Sequence, residues 1–428
     1  MRSARIGGFV LLVLGLVACA GTPPTGSLQV LIEGLPAGVP AAVDVAGPDG
    51  YAAVVTTTRL LSGLAPGAYS LNPAAVEDGH TIVPATYDAT TASPVVTLAA
   101  GESVTATVDH AWRSPTGRAW VSRLEDDGPI LSSFVADDLL TSGTPTPAAS
   151  VGRDAGMWEG IAFDAAGNAW VARYQHGTRL VRFPAAALAA SGDTLPDIVI
   201  DSSDPLVLAG AAGLAFDSDG GLWVSGYDSN TLVRYGPAQL AVSGSPAPEV
   251  VLTATVGSLS HPIGIAFDPD GTLWVASHGN DAIVAFGASK LGLSGDPEPD
   301  VSIWSTSGRL HGPFGLAFDA HANLWASALW SGVVRYDAEQ LPLGGAPAPS
   351  AWVTDIDSPK GLAFDHRGDL WISHRQPGQD VLAQLADPNT LIMTSAAEFA
   401  TTIELGFDID GGFVTFFPPP PGVPLRTP

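Results

Sequence analysis

An internal repeat constrains the fold of this chain more than any other feature. Its clearest copy reads Gly-Leu-Ala-Phe-Asp-x-x-Gly-x-Leu-Trp-Val, and the unit recurs about every fifty residues, within the range of known repeat architectures. Six tryptophans mark the copies: Trp120, Trp170, Trp223, Trp274, Trp325 and Trp371. In five copies a phenylalanine followed by Asp precedes the Trp: Phe163, Phe216, Phe267, Phe318 and Phe364.

Each unit holds short apolar runs separated by turn residues. After the Trp run come a third run (residues 232–235 in one copy), a Ser-Gly-x-Pro turn (243–246) and a fourth run (249–254). Such a unit is a four-stranded meander that buries its faces only against its neighbours, which predicts an all-β propeller. The complete units predict a six-bladed β-propeller. The segment 406–417, in which Phe413 continues the Trp series, either completes the first blade by strand exchange or begins a seventh.

The region before the repeats predicts a separate small β-sandwich. Its strand-like runs are separated by turn residues such as Gly47-Pro48-Asp49-Gly50. The segment 61–71, Leu-Ser-Gly-Leu-Ala-Pro-Gly-Ala-Tyr-Ser-Leu, resembles the hairpin of PEGA-type and prealbumin-like modules of bacterial surface proteins. That resemblance implies a spacer or an adhesive appendage.

The N-terminus predicts an exported lipoprotein. Arg2 and Arg5 flank the start of an apolar stretch, residues 6–17, that is too short to span a bilayer, as in a secretion signal. Leu16-Val17-Ala18-Cys19 resembles the bacterial lipobox, which implies that Cys19, the only cysteine, is lipidated and anchors the protein to the cell envelope. Ala20 at the next position implies the outer membrane if the cell has two membranes.

These features divide the chain into a signal peptide (1–19), a linker (20–26), the β-sandwich (27–110), the propeller (111–417) and a Pro-rich tail (418–428). The formal net charge of -25, with only Lys290 and Lys360 as lysines, repels polyanions and argues against nucleic-acid binding. Walker, HExxH, GxSxG and CxxC motifs do not occur in the sequence. The motifs therefore favour a binding protein over an enzyme.

Two repeat units carry a resemblance to known propellers. GLAFDSDGGLWVSGYDSNTLVRY and GIAFDPDGTLWVASHGNDAIVAF resemble NHL-type repeats and the repeats of streptogramin-lyase-like propellers. The resemblance implies a propeller fold and is weaker for activity, because the matching positions are strand and turn residues. The lyases' strand end Trp-Phe-Thr-Glu stands here as Trp274-Val275-Ala276-Ser277.

The residues that differ between units predict a ligand site. The loops before the first strand and after the Trp strand emerge at one end of a propeller, and five of the nine histidines fall there. Imidazoles, aromatics, acids and cations in a concave mouth are typical of a binding site. The candidate ligand-binding residues are Trp158, Glu159, Arg173, Tyr174, His176, Tyr227, Asp228, His261, His278, Asn280, His311, Trp330, Lys360, His374 and Arg375.

Two functions are compatible with such a mouth. The first is a scaffold that binds an envelope ligand or protein without a cofactor. The alternative is a metal-dependent lyase or lactonase-like enzyme, with a pair of His261, His278 and His311 as base or divalent-metal ligands and Glu159 or Asp228 as the orienting carboxylate. Asp-x-Asp-Gly segments at 217–220, 268–271 and 408–411 are interpreted as hairpin turns, because they lack the remaining oxygens of a calcium site.

Overall fold

The computed structural model of the protein describes residues 24–35, 38–77, 86–112, 117–123, 128–153, 156–174, 178–202, 204–253, 257–365, 367–376, 379–391, 395–405 and 412–417. These residues form two compact units, one from 24 to 112 and one from 117 to 417. No helix in these ranges is long and apolar enough to cross a membrane. The helices are short 3-10 turns: Pro48–Gly50, Ala136–Leu139, Ala185–Ala189, His278–Asn280, Ala288–Lys290, Leu341–Leu343 and Pro388–Thr390.

The first unit is a sandwich of two sheets. Its strands are β1 Gly26–Glu33, β2 Ala42–Ala46, β3 Ala52–Val55, β4 Arg59–Leu64, β5 Gly67–Ala74, β6 Val76–Glu77, β7 Thr86–Thr90, β8 Val95–Leu98 and β9 Ser103–Trp112. One sheet has the order β4-β1-β9-β7-β6 and the other β3-β2-β5-β8. Leu28 and Val30 of β1 share one core with Val43 and Val45 of β2, as the two-residue period of strands requires.

The segment 61–71 is not a hairpin, contrary to the resemblance. Strand β4 pairs with β1 in one sheet, whereas β5 pairs with β2 and β8 in the other, so the chain crosses between sheets at Ala65-Pro66. Tyr69 stabilises this crossing, because its buried hydroxyl donates a hydrogen bond to the Ala65 carbonyl oxygen at 2.9 Å. Crossing lets β4 and β5 bury apolar side chains in the same core from opposite sheets.

The second unit is a β-propeller. Its strands are β10 Arg118–Ser122, β11 Pro129–Val135, β12 Ala149–Arg153, β13 Trp158–Phe163, β14 Ala169–Arg173, β15 Arg179–Phe183, β16 Ile198–Asp201, β17 Ala211–Phe216, β18 Leu222–Gly226, β19 Thr231–Tyr235, β20 Val250–Leu252, β21 Pro262–Phe267, β22 Leu273–Ser277, β23 Ala282–Phe286, β24 Val301–Trp304, β25 Pro313–Phe318, β26 Leu324–Ala328, β27 Gly332–Tyr336, β28 Ala351–Thr354, β29 Leu362–Phe364, β30 Leu370–Gln376, β31 Gln379–Leu385, β32 Ser395–Ala396, β33 Thr401–Glu404 and β34 Val414–Phe417. In the described residues they form six sheets, ordered from the inner to the outer strand as β34-β10-β11-β12, β13-β14-β15-β16, β17-β18-β19-β20, β21-β22-β23-β24, β25-β26-β27-β28 (followed by β32) and β29-β30-β31-β33. The predicted fold class, an all-β propeller preceded by a β-sandwich, is confirmed.

The last strand closes the ring by entering the first sheet. Strand β34 pairs with β10, and the inner strands contact one another in the cycle β13, β17, β21, β25, β29, β34 and back to β13. The Phe413 N–H donates to Ser122 Oγ at 3.1 Å, as the Gly213 N–H donates to Ser225 Oγ at 2.8 Å in the third sheet. Phe413 therefore takes, in the first sheet, the position that the repeat glycine Gly213 takes in the inner strand of the third sheet. The prediction that it continues the Trp series is wrong, because spacing alone does not distinguish the two positions.

A belt of turns joins the sheets a second time at their outer edges. In the third sheet, Ser243 Oγ accepts a hydrogen bond from the N–H of Val199 in β16 at 3.0 Å, and Gly244 forms a parallel bridge to Ile200. Equivalent bridges cap β12, β20, β24 and β33 through Gly192, Gly295, Gly345 and Gly143. Strand β32 pairs with β28 in the same way. The belt covers the free edge that each outer strand would otherwise expose.

Five sheets share one hydrogen-bonded turn between the inner and the second strand. Asp217 Oδ1 accepts from the N–H groups of Asp219 and Gly221 at 3.0 and 2.8 Å, and Oδ2 accepts from Trp223 Nε1 at 3.0 Å. The equivalent pairs are Asp164 with Trp170, Asp268 with Trp274, Asp319 with Trp325 and Asp365 with Trp371. The hairpin-turn interpretation of 217–220 and 268–271 is confirmed, whereas 408–411 lies outside the described residues. The end of the propeller that carries these turns is called the turn end below.

Candidate functional site

The loops opposite the turn end bring six of the predicted residues together. Because neighbouring strands of each sheet are antiparallel, the loop before the inner strand and the loop after the second strand lie at one end, called the mouth below. Four adjacent sheets contribute side chains to a continuous row of rings there. This ring array consists of Tyr174, Tyr227, His261, His278, Trp330 and His311.

The first half of the ring array runs from the second sheet to the fourth. The rings of Tyr174 and Tyr227 have centroids 5.5 Å apart and planes at 87°. The Tyr227 centroid lies 4.6 Å from that of His261 and 6.3 Å from that of His278. Tilted and edge-to-face arrangements at these distances are the favoured geometries of ring pairs. The rings are therefore packed against each other across sheet boundaries.

Trp330 forms the exposed end of the ring array. Its ring centroid lies 5.2 Å from that of His278 and 4.7 Å from that of His311, yet the residue is 59% exposed. The rings close over Gly312, where φ is 65° and where a Cβ would collide with the indole of Trp330. Asp281 fixes this loop, since its Oδ1 accepts the Gly312 N–H at 2.7 Å and its Oδ2 lies 3.9 Å from His311 Nε2.

His261 adopts a backbone conformation that favours glycine. Its φ is 50°, and the equivalent residues of the sheets on either side are Gly210 and Gly312, with φ of 64° and 65°. The His261 N–H donates to Asn230 Oδ1 at 2.7 Å, which holds the conformation. A side chain in the left-handed region costs about 1 to 2 kcal/mol. In this conformation, which is unfavourable for a residue with a side chain, the imidazole packs against the Tyr227 ring.

An apolar cluster lies on the inner strands next to the mouth. Ala212, Ile263 and Phe314 are buried together, and the Phe413 ring lies 5.7 Å from that of Phe314. The Lys360 ammonium lies 5.6 Å from the Phe314 ring centroid. Lys360 is among the predicted residues and Phe314 is not, although both precede the repeat glycine at a position that differs from unit to unit.

Two acidic residues affect the pKa values of the tyrosines in the mouth. Burial raises the pKa of Tyr174 to about 12, and the negative charges of Asp228 and Glu159 contribute to the shift. Burial and the same two carboxylates raise the pKa of Tyr227. Both phenols are therefore protonated at neutral pH. Glu159 is buried and Asp228 is exposed.

His278 is neutral at physiological pH. Burial lowers its pKa, which outweighs the opposing effect of the Pro313 carbonyl oxygen 3.3 Å from Nδ1 and the charge of Asp281. A proton on Nδ1 satisfies that carbonyl, so the neutral ring keeps Nε2 as a hydrogen-bond acceptor.

Other predicted residues lie outside the ring array. Trp158 is 1% exposed, and the Arg173 guanidinium lies 5.7 Å from its ring centroid. His374 is buried and stacks on Phe399 at 5.2 Å, and burial lowers its pKa. Arg375, the next residue, is exposed. The array therefore does not extend along the second strand of the sixth sheet.

Three further predicted residues lie apart from the ring array or outside the described part of the chain. Asn280 is exposed, and its side-chain amide donates to the Gly257 carbonyl oxygen at 3.2 Å. His176 follows Tyr174 in sequence but lies outside the described residues, as does Cys19. Within the described ranges, no three His, Cys, Asp or Glu side chains are grouped so that they could hold a metal ion.

Similarity to known proteins is limited to the fold. No family profile and no curated protein sequence matches the chain. Among solved structures it is similar to virginiamycin B lyase from Staphylococcus aureus, with 15% identity over 56% of this chain and 74% of that chain and a TM-score of 0.38. A streptogramin B lyase gives 14% identity, 72% and 86% coverage and a TM-score of 0.39. The WD40 domain of coronin from Toxoplasma gondii gives 11% identity, 68% and 65% coverage and a TM-score of 0.40.

Proposed function

We propose that the protein is a binding protein that holds a small ligand or a peptide in the mouth of its propeller. The observation that carries this proposal is the ring array, in which six ring side chains from four sheets form one contiguous row. The array lies at the end where the repeat has no common sequence. Concave sites lined by aromatic side chains with a few polar groups are typical of ligand binding.

The exposure of Trp330 supports binding over packing. The six repeat tryptophans are at most 3% exposed, whereas Trp330 is 59% exposed. Exposed apolar surface forgoes about 25 cal/mol per Å² of burial, and exposed aromatic anchors are typical of interaction hot spots.

A ligand panel tests this function. Sugars, amines, short peptides and nucleotides are added to the purified protein, and the thermal unfolding temperature is measured. A ligand that binds the native state raises it. We expect at least one class to stabilise the native protein and to lose that effect in Trp330→Ala.

His321→Ala is the matched control. His321 is exposed in the turn of the fifth sheet, at the turn end, so its removal leaves the mouth intact. The control should respond to the same ligand as the native protein. No stabilisation by any class, or an equal response of Trp330→Ala and the native protein, contradicts the proposed function.

The proposal extends to the location of the protein. The lipobox-like sequence supports a lipid anchor on Cys19 at the cell envelope, with the β-sandwich as a spacer between the anchor and the propeller. The substitution Cys19→Ser should move the protein from the membrane fraction to the soluble fraction of lysed cells. Equal membrane association of both proteins contradicts the anchor.

A further inference from the structure

We infer that the mouth recognises an organic cation, whose ammonium group is held against the rings of Tyr174 and Tyr227 with the Asp228 carboxylate as its counter-charge. This inference rests on the proposed function, because it names the ligand class of the same site. The three residues are called the cation corner below. The remaining rings of the array would contact the apolar part of the ligand.

The two tyrosine rings have the geometry of a cation site. Their planes meet at 87° with centroids 5.5 Å apart in an edge-to-face contact, so the face of one ring and the uncovered part of the other ring's face form two walls of a corner. The face of an aromatic ring carries negative potential, and a cation within about 6 Å of the centroid is attracted to it. Walls at right angles allow one ammonium group to approach two rings, which is the arrangement of aromatic cages for such ligands.

The Asp228 carboxylate lies beside this corner. Asp228 Oδ2 and Tyr174 Cε2 both lie beside Gly210, because a Cβ on Gly210 would be 2.7 Å from the first atom and 2.9 Å from the second. Asp228 is exposed, and within the described residues no lysine or arginine forms an ion pair with it. Buried Glu159 adds a second negative charge that acts on both phenols.

The protein's own cations already use other ring faces in the same unit. Lys360 lies over Phe314, Arg173 over Trp158 and Arg309 over Trp352, at 5.6, 5.7 and 4.9 Å from the ring centroids. In the described part of the chain, no such contact involves Tyr174 or Tyr227. The cation corner thus combines two ring faces with a carboxylate, and no lysine or arginine of the described residues lies over either ring.

The overall charge favours the same ligand class. A net charge of -25 attracts cations to the surface and repels anions at long range. An anionic ligand would in addition be repelled at close range by the exposed Asp228 carboxylate. A neutral sugar could use the same ring faces, but its affinity would not depend on the carboxylate or on salt.

Choline and its uncharged isostere 3,3-dimethyl-1-butanol test the role of charge directly. Their shapes match, so a difference in affinity reports the positive charge. By titration followed by NMR, we expect choline to bind at least about tenfold more tightly and its affinity to fall with added salt. No saturable binding of choline, or equal binding of the two compounds, overturns the inference.

Substitutions locate the choline site. Asp228→Asn should weaken choline binding about tenfold, whereas Asp270→Asn, which removes the same charge from an exposed position at the turn end, should leave it nearly unchanged. Tyr227→Phe keeps the ring face and should bind choline like the native protein, and Tyr227→Leu should not. Equal effects of Asp228→Asn and Asp270→Asn, or loss of binding in Tyr227→Phe, overturns the cation corner.

The inference and the proposed function fail separately. If the ligand panel yields a neutral ligand that depends on Trp330, and choline does not bind, the mouth is a binding site but not for a cation. If no class in the panel binds, choline included, both fail.

Discussion

The two ends of the propeller are built from the same repeats and yet differ in kind. At the turn end, five sheets use one pattern, in which an aspartate accepts hydrogen bonds from its own turn and from the repeat tryptophan. At the mouth, the corresponding loops carry tyrosine, histidine or tryptophan in different sheets, and these rings contact one another across sheet boundaries.

The difference indicates which end is scaffold and which is site. A carboxylate that already accepts three or four hydrogen bonds within its turn has no oxygen left for a ligand, so repetition there serves stability. Side chains that differ from sheet to sheet cannot serve a common structural need. Residues of the turn end should therefore dominate the free energy of unfolding, and residues of the mouth should dominate binding.

Asp319→Ala should give the largest loss of stability. Asp319 is 1% exposed and accepts hydrogen bonds from the N–H groups of His321 and Asn323, from the Asn323 side-chain amide and from Trp325 Nε1. The substitution leaves these donors, of which the Trp325 indole N–H is buried, without a partner, which should cost about 3 to 4 kcal/mol in urea unfolding. Asp270→Ala, at an exposed position of another turn, should cost less than about 0.5 kcal/mol. Similar values for the two would contradict the scaffold role.

The sixth sheet departs from the turn pattern in a way that should depend on pH. Asp369 lies where the second and fifth sheets carry Asn168 and Asn323, whose side-chain amides donate to the turn aspartate at 2.9 Å. Burial and the charge of Asp365 raise the pKa of Asp369 to about 6. A folded pKa above the unfolded value of 3.8 gives stability that is present at low pH and lost as the pH rises through about 6.

Asp369→Asn should remove the loss of stability that accompanies ionisation of Asp369. The amide carries no charge, although its nitrogen replaces an oxygen that accepts a hydrogen bond from Gln384 Nε2 at 2.8 Å or from the Asp387 N–H at 3.1 Å. In urea unfolding, the stability of the variant relative to that of the native protein should rise by about 2 kcal/mol between pH 4 and pH 8. A difference that does not change with pH would show that the buried pair does not titrate in this range.

His261 allows the backbone cost at the mouth to be separated from the role of the imidazole. Both His261→Gly and His261→Ala remove the ring, but only glycine tolerates a φ of 50° without strain. His261→Gly should therefore be more stable than His261→Ala by about 1 kcal/mol in urea unfolding, while both bind ligand equally weakly. Full binding by His261→Gly would show that the imidazole is not part of the site.

Trp330→Ala should destabilise the protein far less than Asp319→Ala. The indole is largely exposed and packs against the rings of His278 and His311 in tilted pairs. Its removal should therefore cost about 0.5 to 1 kcal/mol. A loss as large as that of Asp319→Ala would make Trp330 a packing residue and would remove the distinction between the two ends.

The sequence was sufficient to predict the features that repetition encodes. The Phe and Trp positions located the inner and second strands of five propeller sheets, and the turn residues located their hairpins. The sequence did not reveal that the repeated Asp and Trp form a hydrogen bond, such as that from Trp223 to Asp217. The spacing of two residues along the chain does not give the distance between their side chains. Nor did the sequence show that Ser-Gly turns such as 243–244 cap the neighbouring sheet, which is a contact between units.

The mouth was predictable in composition but not in arrangement. Loop membership identified His261, His278 and Trp330, which lie in the ring array. The same criterion also selected Trp158 and His374, which are buried, because membership of a loop does not decide whether a side chain points inward or outward. Strand crossing between sheets likewise depends on tertiary packing that a local motif does not contain.

The most direct test is the response of histidine ring signals to a bound ligand, followed by NMR. His261, His278 and His311 report on the mouth, and His321 reports on the turn end of the same propeller. Saturation with a stabilising ligand from the panel should shift the signals of the three mouth histidines and leave that of His321 unchanged. A shift of His321 without a shift of the mouth histidines would contradict the assignment of function to the mouth.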